Sequence, residues 1–329
     1  MIGCMQVIRV HQPGGPERMV LDTVPDLSAG AGQVVVRVDA AGVNYIDVYH
    51  RTGLYDAPKP VAIGREGAGT VVSVGDGAES VAVGDRVAWV GIPGSYATHV
   101  SVPADRIVPV PDEVELTKAA AVMLQGMTAH YLSTSTYTLG ETDTCLVHAA
   151  AGGVGLLLCQ MAKRAGARVI GTVSTQKKEE RALEAGASIV IRYTEQSFVT
   201  GVKNVTGARG LEVVYDSVGQ STFENSLECL APRGTLVLYG QSSGPVPPFD
   251  LQVLNQKGSL YITRPSLFHY IATRDELLSR AGAVLGMIAA GELEVTIDRE
   301  LPLADAAEAH RLLEGRKTIG KVILRPNIQ

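Results

Sequence analysis

This sequence of 329 residues has few cysteines, no long apolar run and no excess of positive charge. The four cysteines stand far apart and none belongs to a C-x-x-C pair, which argues against a disulfide framework and a cysteine zinc cluster. No apolar run reaches the roughly 18 residues that span a bilayer. The net charge of −5 gives no electrostatic footprint for nucleic acid or an anionic membrane.

The N-terminal residues lack a basic segment followed by an apolar core, so they do not resemble a secretory signal, and a cytoplasmic protein is expected. Hydrophobic residues make up 46% of the chain and charged residues 19%, as in globular proteins, and the length predicts two domains. Cys145 precedes a glycine-rich turn and Cys159 follows it. Both are predicted to be buried core residues.

The pattern of elements changes at about residue 124. Before it, short β-like segments separated by glycine and proline predict a mostly antiparallel, barrel-like domain, with strands at 33–38, 69–74, 86–90 and 96–100. After it, alternating patterns predict a doubly wound parallel sheet, with strands near 146 and at 169–173, 188–191, 212–215, 235–239 and 260–263. The tail, with helices at 274–290 and 303–314 and a strand at 321–324, is expected to complete the first domain. The fold class is α/β.

The most informative stretch is a strand, a glycine turn and a helix between residues 144 and 163. The turn reads Ala-Ala-Ala-Gly-Gly-Val-Gly at 149–155. Gly152 and Gly153 allow a tight turn and close approach to phosphate, Gly155 lets the helix pack near the strand, and the helix N-terminus directs N–H groups at the anion. Ala150 replaces the first glycine of the usual G-x-G-x-x-G pattern. The stretch predicts a pyrophosphate site.

A second strand at 168–173 completes the β-α-β unit. NAD-binding proteins usually place Asp or Glu at its end, where the carboxylate accepts hydrogen bonds from the ribose 2′-OH. This chain reads Ser-Thr-Gln-Lys-Lys at 174–178. A carboxylate would repel a 2′-phosphate, whereas a hydroxyl and lysines favour one, so these residues predict NADPH over NADH. The alternative is a solvated helix start with ordinary surface lysines.

Several segments together resemble one family. They are Ala-Gly-Val-Asn-Tyr-Ile-Asp at 41–47, Gly-Arg-Glu-Gly-Ala-Gly at 64–69, Leu-Gln-Gly-Met-Thr-Ala at 124–129, the turn at 149–155, Tyr-Asp-Ser-Val-Gly at 215–219, Gly-Ser-Leu at 258–260 and Thr-Arg-Pro-Ser-Leu at 263–267. The chain resembles the zinc-free, NADPH-dependent quinone oxidoreductases, the zeta-crystallin-like branch of the medium-chain dehydrogenases/reductases. The resemblance implies a GroES-like catalytic domain (1–124 and 267–329), a Rossmann NADPH-binding domain (125–266) and a cleft between them.

The departures from zinc-dependent members of the superfamily are informative. Those enzymes carry a zinc-ligand cysteine about where Asn44 stands, and Gly-His-Glu where this chain has Gly64, Arg65 and Glu66. Zinc needs three protein ligands around an open position to polarise an alcohol, so no metal is predicted. NADPH supplies the reducing power, and a quinone, which becomes aromatic on reduction, needs less help from a Lewis acid than a ketone.

The resemblance implies four residues near the acceptor. Asn44 and Asp47 would lie beside the cofactor and substrate, and Tyr49 and Tyr55 would line the quinone pocket. Each has an alternative role. The Asn44 and Asp47 side chains could stabilise a turn, and the tyrosines could pack in the core with a hydrogen-bonded hydroxyl.

The resemblance also implies the cofactor contacts. Gln125 and Thr128 would contact the nicotinamide carboxamide or its ribose, with helix capping or an interdomain structural role as the alternative. Ser174, Lys178 and Tyr193 would meet the 2′-phosphate, with Lys177 as a competing candidate. Arg316 could equally be an ordinary surface arginine. The full predicted set of cofactor-binding residues is Asn44, Gln125, Thr128, Ala151, Gly152, Gly153, Val154, Ser174, Lys178, Tyr193, Ser217, Tyr239, Ser242, Asn255 and Arg316.

The leading functional hypothesis is a metal-free NADPH:quinone oxidoreductase that reduces small quinones, in this branch often to semiquinones. Nothing in the sequence distinguishes one-electron from two-electron transfer. An alternative is NADPH-dependent reduction of the activated C=C bond of an enone or alkenal, and another is a non-catalytic NADPH-binding protein. The resemblance also implies a homodimer, with a tetramer as the alternative, in which the segment at 258–263 could form an edge strand that pairs with its twin.

Overall fold

The computed structural model describes residues 3–326. Within this range the chain divides into two compact units. The first unit consists of two segments, the chain up to Met127 and the chain from Ile271 onward. The second unit lies between them and runs from Thr128 to Tyr270. Among the described residues, no helix combines the length and the apolar composition that crossing a bilayer requires.

The strands are numbered in chain order. They are β1 (Cys4–Val10), β2 (Met19–Pro25), β3 (Gln33–Gly42), β4 (Val61–Ala62), β5 (Glu66–Val74), β6 (Arg86–Val90), β7 (His99–Pro103), β8 (Val108–Pro109), β9 (Thr144–Val147), β10 (Arg168–Val173), β11 (Ile189–Arg192), β12 (Leu211–Asp216), β13 (Leu230–Leu238), β14 (Tyr261–Thr263), β15 (Ile297–Pro302) and β16 (Lys321–Arg325).

The helices are numbered in the same way. They are α1 (Tyr45–Thr52), α2 (Leu116–Tyr131), α3 (Gly153–Arg164), α4 (Gln176–Glu184), α5 (Phe198–Thr206), α6 (Phe223–Leu227), α7 (Gln252–Gln256), α8 (Leu267–Tyr270), α9 (Arg274–Ala289) and α10 (Ala306–Glu314). Short 3₁₀ turns cover Pro16–Arg18, Ala104–Arg106 and Leu303–Asp305, and a π-helical turn covers Leu132–Thr136.

The first unit is built from mostly antiparallel strands, as predicted. One sheet has the order β2-β1-β4, and a larger sheet has the order β15-β16-β3-β5-β6-β8, with β7 also paired to β3. Valines 34, 36 and 38 on β3 and Trp89 on β6 are fully buried, because alternate positions along a strand face the same core. The pair β15–β16 is parallel, and β16 joins the sheet by pairing with β3.

The second unit is the predicted doubly wound parallel sheet. Its strand order is β11-β10-β9-β12-β13-β14, and every neighbouring pair runs parallel. The order reverses between β9 and β12, and in such sheets ligands bind at the carboxyl ends of the strands at this reversal. The glycine turn that follows β9 lies there. Cys145 and Cys159 are fully buried, which confirms them as core residues.

The predicted strand at 96–100 was misplaced. The N–H of Tyr96 donates to the carbonyl of Ile63 at 3.1 Å, and the carbonyl of Tyr96 accepts from the N–H of Ile8 at 2.8 Å. Tyr96 therefore pairs with Ile8 on β1 and with Ile63 just after β4, and β7, which pairs with β3, begins only at His99. Five strands were not predicted: β1, β2, β4, β8 and β15.

Candidate active site

The glycine turn connects β9 to α3 as predicted. Ala149 has a φ of 51°, and its carbonyl accepts the Gly152 N–H at 2.8 Å. A Cβ on Gly155 would lie 2.3 Å from the Ala149 oxygen, so only glycine lets α3 begin this close to the strand. The first intrahelical bond runs from the Leu156 N–H to the Gly152 carbonyl, and the preceding N–H groups have no carbonyl within the helix. This half-buried helix start therefore suits a phosphate, and its backbone fits the pyrophosphate of a dinucleotide.

Ser174 and Tyr193 lie at the ends of neighbouring strands. Strands β10 and β11 are parallel with Val173 opposite Arg192, so the next residue along each strand reaches the same edge of the sheet. The Tyr193 N–H donates to the Val173 carbonyl at 3.1 Å, and the Thr194 hydroxyl donates to the Ser174 carbonyl at 3.0 Å. The two predicted 2′-phosphate residues therefore lie close together.

The two candidate lysines differ in exposure. Lys178 is half-buried in the first turn of α4, where its N–H donates to the Thr175 hydroxyl at 3.4 Å, whereas Lys177 is exposed. The Glu179 carboxylate at this edge is 3.0 Å from the Arg192 guanidinium, and that pairing neutralises it. The edge therefore suits a 2′-phosphate, with Lys177 and Lys178 both at the start of α4 beside it.

Ser217, Tyr239 and Ser242 lie on two loops that follow β12 and β13. The Ser242 N–H donates to the Ser217 carbonyl at 3.2 Å, and the Ser243 N–H donates to the Val218 carbonyl at 2.8 Å. The Tyr239 and Ser217 side chains are hydrogen-bonded, and burial raises the pKa of the Tyr239 phenol. The two loops are thus fixed to each other at the carboxyl edge of the sheet.

A buried polar chain links the ends of the central strands. His148 Nδ1 lies 2.9 Å from the Thr172 hydroxyl and Nε2 lies 3.0 Å from the Ser226 hydroxyl, which donates to Asp216 at 3.2 Å. The other Asp216 oxygen accepts the Val218 N–H at 2.7 Å. Burial lowers the pKa of His148. The neutral imidazole donates to Ser226 and accepts from Thr172, and the chain ends on a carboxylate that holds the loop after β12.

Asn44 lies in the first unit, at the N-cap of α1, and is 3% exposed. Its side-chain amide donates to Glu66 at 2.7 Å and to the Gly42 carbonyl at 3.2 Å. Its oxygen accepts from Lys321 Nζ at 2.7 Å and from Gln125 Nε2 at 3.2 Å. These partners use the full hydrogen-bonding capacity of the amide.

Lys321 and Glu66 form a buried ion pair beside Asn44. The ammonium lies 2.5 Å from Glu66 Oε2, and the two side chains are 2% and 0% exposed. The other carboxylate oxygen accepts the Leu124 N–H at 2.6 Å. A Cβ on Gly42 would lie 2.3 Å from Glu66 Oε2, so the pair depends on glycine at this position. Burial lowers the pKa of Lys321, and the Glu66 charge opposes that shift.

Asp47 is fully buried on α1 and begins a second polar chain. Its Oδ2 accepts from the Tyr96 hydroxyl at 2.9 Å, and that hydroxyl is 3.4 Å from His310 Nε2. Arg51 donates to His310 Nδ1 at 3.1 Å and is paired with Glu314 at 2.7 and 2.8 Å. Burial raises the pKa of Asp47 to about 7, and burial together with the Arg51 charge lowers the pKa of His310 to about 3. Near neutral pH, Asp47 can hold or release a proton.

The predicted quinone-pocket tyrosines pack together. The ring centroids of Tyr49 and Tyr55 are 5.2 Å apart, and His50 meets Tyr55 edge-on at 5.7 Å. The Tyr55 N–H donates to the Tyr49 carbonyl at 3.1 Å, which folds the chain after α1 back onto the helix. The result is a half-buried aromatic surface at the end of α1, of the kind a planar ring can stack on.

The remaining predicted residues are more scattered. Thr128 is buried on α2, and Gln125 lies one turn earlier, with its Oε1 buried and without a hydrogen-bond partner in the described range. Asn255 is exposed on α7. Arg316 is exposed after α10 with a φ of 55°, and its charge lowers the pKa of Tyr45 against the larger raising effect of burial.

The residues at the expected zinc position do not fit zinc. Asn44 and Glu66 both contact the Lys321 ammonium, and Arg65 cannot coordinate a cation. Within residues 3–326, no group of three or more His, Cys, Asp or Glu side chains is placed to hold a metal ion. A lysine ammonium occupies the position between Asn44 and Glu66. The absence of a metal stays a prediction.

Comparison with known proteins agrees with this architecture. Residues 30–112 match the alcohol dehydrogenase GroES-like domain, and residues 153–278 match the zinc-binding dehydrogenase family. The quinone oxidoreductase of Salmonella typhimurium is 46% identical over 97% of this chain and 99% of its own. A crystal structure of Escherichia coli quinone oxidoreductase complexed with NADPH has a TM-score of 0.95 and 43% identity over 98% and 100% of the two chains. A 2-haloacrylate reductase from Burkholderia sp. is 40% identical over 96% and 98%.

A GroES-like unit followed by a Rossmann-type parallel sheet defines a medium-chain dehydrogenase/reductase. Within that superfamily, the chain belongs to the quinone oxidoreductase family.

Sequence reasoning missed the buried charges of the first unit. Glu66 was noted only as part of a motif, and Lys321, Arg51, Tyr96 and His310 were not assigned roles. One signal was available, because Lys321 opens a strand that otherwise reads Val-Ile-Leu, and a lysine in such a strand requires a buried partner.

Proposed function

We propose that this protein is an NADPH-dependent reductase of small quinones. The observation that carries the proposal is the similarity over nearly the whole chain to enzymes named quinone oxidoreductases, one of them solved with NADPH. The glycine turn and the edge at Ser174 and Tyr193 support the same cofactor. NADPH, once bound, supplies the hydride for the reduction.

In this proposal the second unit is the cofactor-binding domain. The N–H groups at the start of α3 hold the pyrophosphate, while Ser174, Lys178 and Tyr193 hold the 2′-phosphate. The loops at Ser217 and Tyr239 flank the nicotinamide. The buried chain from His148 to Asp216 keeps these loops in place before the cofactor binds, which reduces the entropy lost on binding.

The first unit provides the acceptor site in this proposal. Tyr49 and Tyr55 provide an apolar surface on which a quinone ring stacks. Asp47, whose pKa is raised by burial to about 7, can hold a proton near neutral pH. Asn44 is saturated within the unit, so it acts by fixing the start of α1 rather than by direct contact with the acceptor.

The first test is NADPH oxidation by purified, chelator-treated protein with a small quinone, in parallel with NADH and with an enone. Fast oxidation that requires the quinone and prefers NADPH supports the cofactor, the substrate class and metal independence together. Tight NADPH binding without turnover on any acceptor would refute a catalytic role and leave a binding protein.

The cofactor preference has its own test. Lys178→Ala should raise KM for NADPH by about 10-fold while leaving KM for NADH unchanged, because a lost charge-assisted bond to phosphate is worth about 1.5–3 kcal/mol. Lys177→Ala is the matched control, since Lys177 is exposed one position earlier. The reverse pattern would assign the 2′-phosphate contact to Lys177.

A second candidate activity is reduction of an activated C=C bond. The 40% identity to a 2-haloacrylate reductase favours it, since 2-haloacrylate has a C=C bond conjugated to a carboxylate. Product analysis separates the two activities. A saturated product formed with a higher kcat/KM than any quinone would replace the leading proposal.

We also propose that the protein is a homodimer joined along β14. This strand is the last in the order of the parallel sheet, and Tyr261 on it is 61% exposed, so its open edge can pair with a second copy. Light scattering should show twice the mass of the chain at micromolar concentration. A monomer or a tetramer would contradict a simple dimer.

A further inference from the structure

Arg65 lies in the first unit, between β4 and β5, where zinc-dependent members of the superfamily carry a histidine. Gly64 before it has a φ of 93°, and a Cβ there would lie 2.3 Å from the Tyr96 ring. Glu66 after it is fully buried in the ion pair with Lys321. The backbone on both sides of Arg65 is therefore fixed, and Arg65 itself remains half-buried.

The guanidinium of Arg65 has far more donors than partners. A guanidinium has five N–H donors. In the described part of the chain, its one hydrogen bond runs from NH1 to the Gly91 carbonyl at 3.5 Å, at the outer limit for such a bond. Arg51 of the same unit differs: it is fully buried, and it is paired with Glu314 and with the Gly14 carbonyl.

The surroundings of Arg65 include Asp47 and His50. The Tyr96 ring lies against Gly64, the residue before Arg65, and its hydroxyl donates to Asp47 Oδ2 at 2.9 Å, while Asp47 Oδ1 is buried without a hydrogen-bond partner among residues 3–326. Both residues interact with the Arg65 charge. Burial lowers the pKa of Arg65, and the Asp47 charge partly offsets that shift. Burial also lowers the pKa of His50, and the Arg65 charge lowers it further. His50, which the Arg65 charge reaches, also packs edge-on against Tyr55 at 5.7 Å.

We propose that Arg65 is a catalytic residue whose guanidinium donates hydrogen bonds to a carbonyl oxygen of the acceptor. The inference rests on the proposed function, because it names how the first unit activates a quinone. The two buried cations of the first unit already have partners: Lys321 contacts Glu66 and Asn44, and Arg51 is paired with Glu314.

The role follows from where charge develops. Hydride transfer from NADPH brings two electrons and one proton to the quinone, and yields NADP⁺ and the hydroquinone monoanion. The negative charge gathers on a former carbonyl oxygen, and a proton from water then completes the hydroquinone. Arg65 keeps its own protons throughout, because a guanidinium remains charged far above neutral pH. Its hydrogen bonds strengthen as the oxygen becomes anionic, so they stabilise the transition state more than the bound quinone.

The test compares Arg65→Ala and Arg65→Lys with the control Arg37→Ala. Arg37 lies on the exposed side of β3 in the same unit, so its variant removes one positive charge without touching the site. With a neutral quinone, the kcat/KM of Arg65→Ala should be about 10- to 100-fold lower than that of the wild type. Loss of an oxyanion-hole donor typically costs roughly 100- to 1,000-fold. A smaller loss is expected here because a quinone needs less activation. Arg65→Lys should recover part of the loss, and Arg37→Ala should retain wild-type values.

Chemical rescue separates a catalytic guanidinium from a structural one. Guanidinium chloride, well below denaturing concentrations, should restore quinone reduction by Arg65→Ala saturably, whereas sodium chloride at equal ionic strength should not. Rescue equally strong with sodium chloride would overturn the inference. A double variant Arg65→Ala, Asp47→Asn that regains wild-type activity would also overturn it, since the loss would then reflect only the unpaired Asp47 charge.

The inference and the proposed function can fail independently. A wild-type protein that oxidises no NADPH in the presence of quinones defeats the proposed function. A wild-type protein that is active, with an Arg65→Ala variant that binds NADPH normally by cofactor fluorescence and keeps its kcat/KM, defeats the inference alone. A loss confined to acceptors that carry a carboxylate would make Arg65 a residue for substrate charge and would likewise refute the catalytic role.

Discussion

Replacing Lys321 with methionine should destabilise the first unit by about 3 kcal/mol. Breaking a buried ion pair by removing one partner typically costs about 3–5 kcal/mol, because the remaining charge stays buried. Here Glu66 keeps the Leu124 N–H at 2.6 Å and the Asn44 amide at 2.7 Å after the ammonium is lost. These two donors place the expected loss at the lower end of that range.

Denaturant unfolding followed by tryptophan fluorescence measures this loss directly. The chain has one tryptophan, Trp89, which is fully buried in the first unit and donates to the Ser95 hydroxyl at 2.9 Å. Its emission therefore reports unfolding of that unit. The control is Lys317→Met, which removes an exposed lysine near the same strand and should change the free energy of unfolding by less than about 0.5 kcal/mol.

The double variant Lys321→Met, Glu66→Gln tests the cause. It removes both charges, so it should be clearly more stable than the single Lys321→Met variant. A single variant that loses less than about 1 kcal/mol, or a double variant no more stable than the single, would refute the account of a buried charge left unpaired.

Three further predictions concern the turn, a carboxyl group and the thiols. Gly155→Ala should weaken NADPH binding by at least about 10-fold in a fluorescence titration, because its Cβ would lie 2.3 Å from the Ala149 oxygen, whereas Gly282→Ala, with open space around it, should bind normally. The pKa of Asp47 rises from 3.8 in the unfolded chain to about 7 in the folded protein, so the folded state binds more protons between these two pH values. The free energy of unfolding of the wild type should therefore fall as pH rises from about 4 to 7. Asp47→Asn should lack this fall in unfolding measured across pH, and parallel curves for the two proteins would contradict the assignment. A thiol reagent should modify only the exposed Cys4 in the native protein and all four cysteines after denaturation.

The elements that could be predicted from sequence are those fixed by neighbouring residues. The strand predicted at 168–173 matches β10 residue for residue, and the helix predicted at 274–290 ends one residue beyond α9. The phosphate turn was predicted because glycines at fixed spacing are required for its backbone, and those requirements are local. The alternation of strands and helices predicted a doubly wound parallel sheet, and the structure added the strand order and the position of its reversal.

The contacts that could not be predicted join distant parts of the chain. Glu66 and Lys321 are 255 positions apart, and Arg51 and His310 are 259 apart, so no local pattern connects them. The strand predicted at 96–100 began three residues too early, because the partner of Tyr96 near β1 is set by tertiary packing. The roles of the predicted site residues stay predictions until variants are measured.

The pairing of Glu66 with Lys321 has a consequence for synthesis of the protein on the ribosome. Glu66 is translated 255 residues before its partner. At a translation rate of about 5–20 residues per second, Lys321 is added roughly 13–50 seconds after Glu66, and the Glu66 carboxylate lacks this partner until then. The second unit is complete by Tyr270, while the first unit still lacks Ile271 onward, including both β15 and β16. The parallel sheet of the second unit can therefore form on the nascent chain before the first unit has all its strands, whereas the ion pair of Glu66 with Lys321 can form only after β16 has been made.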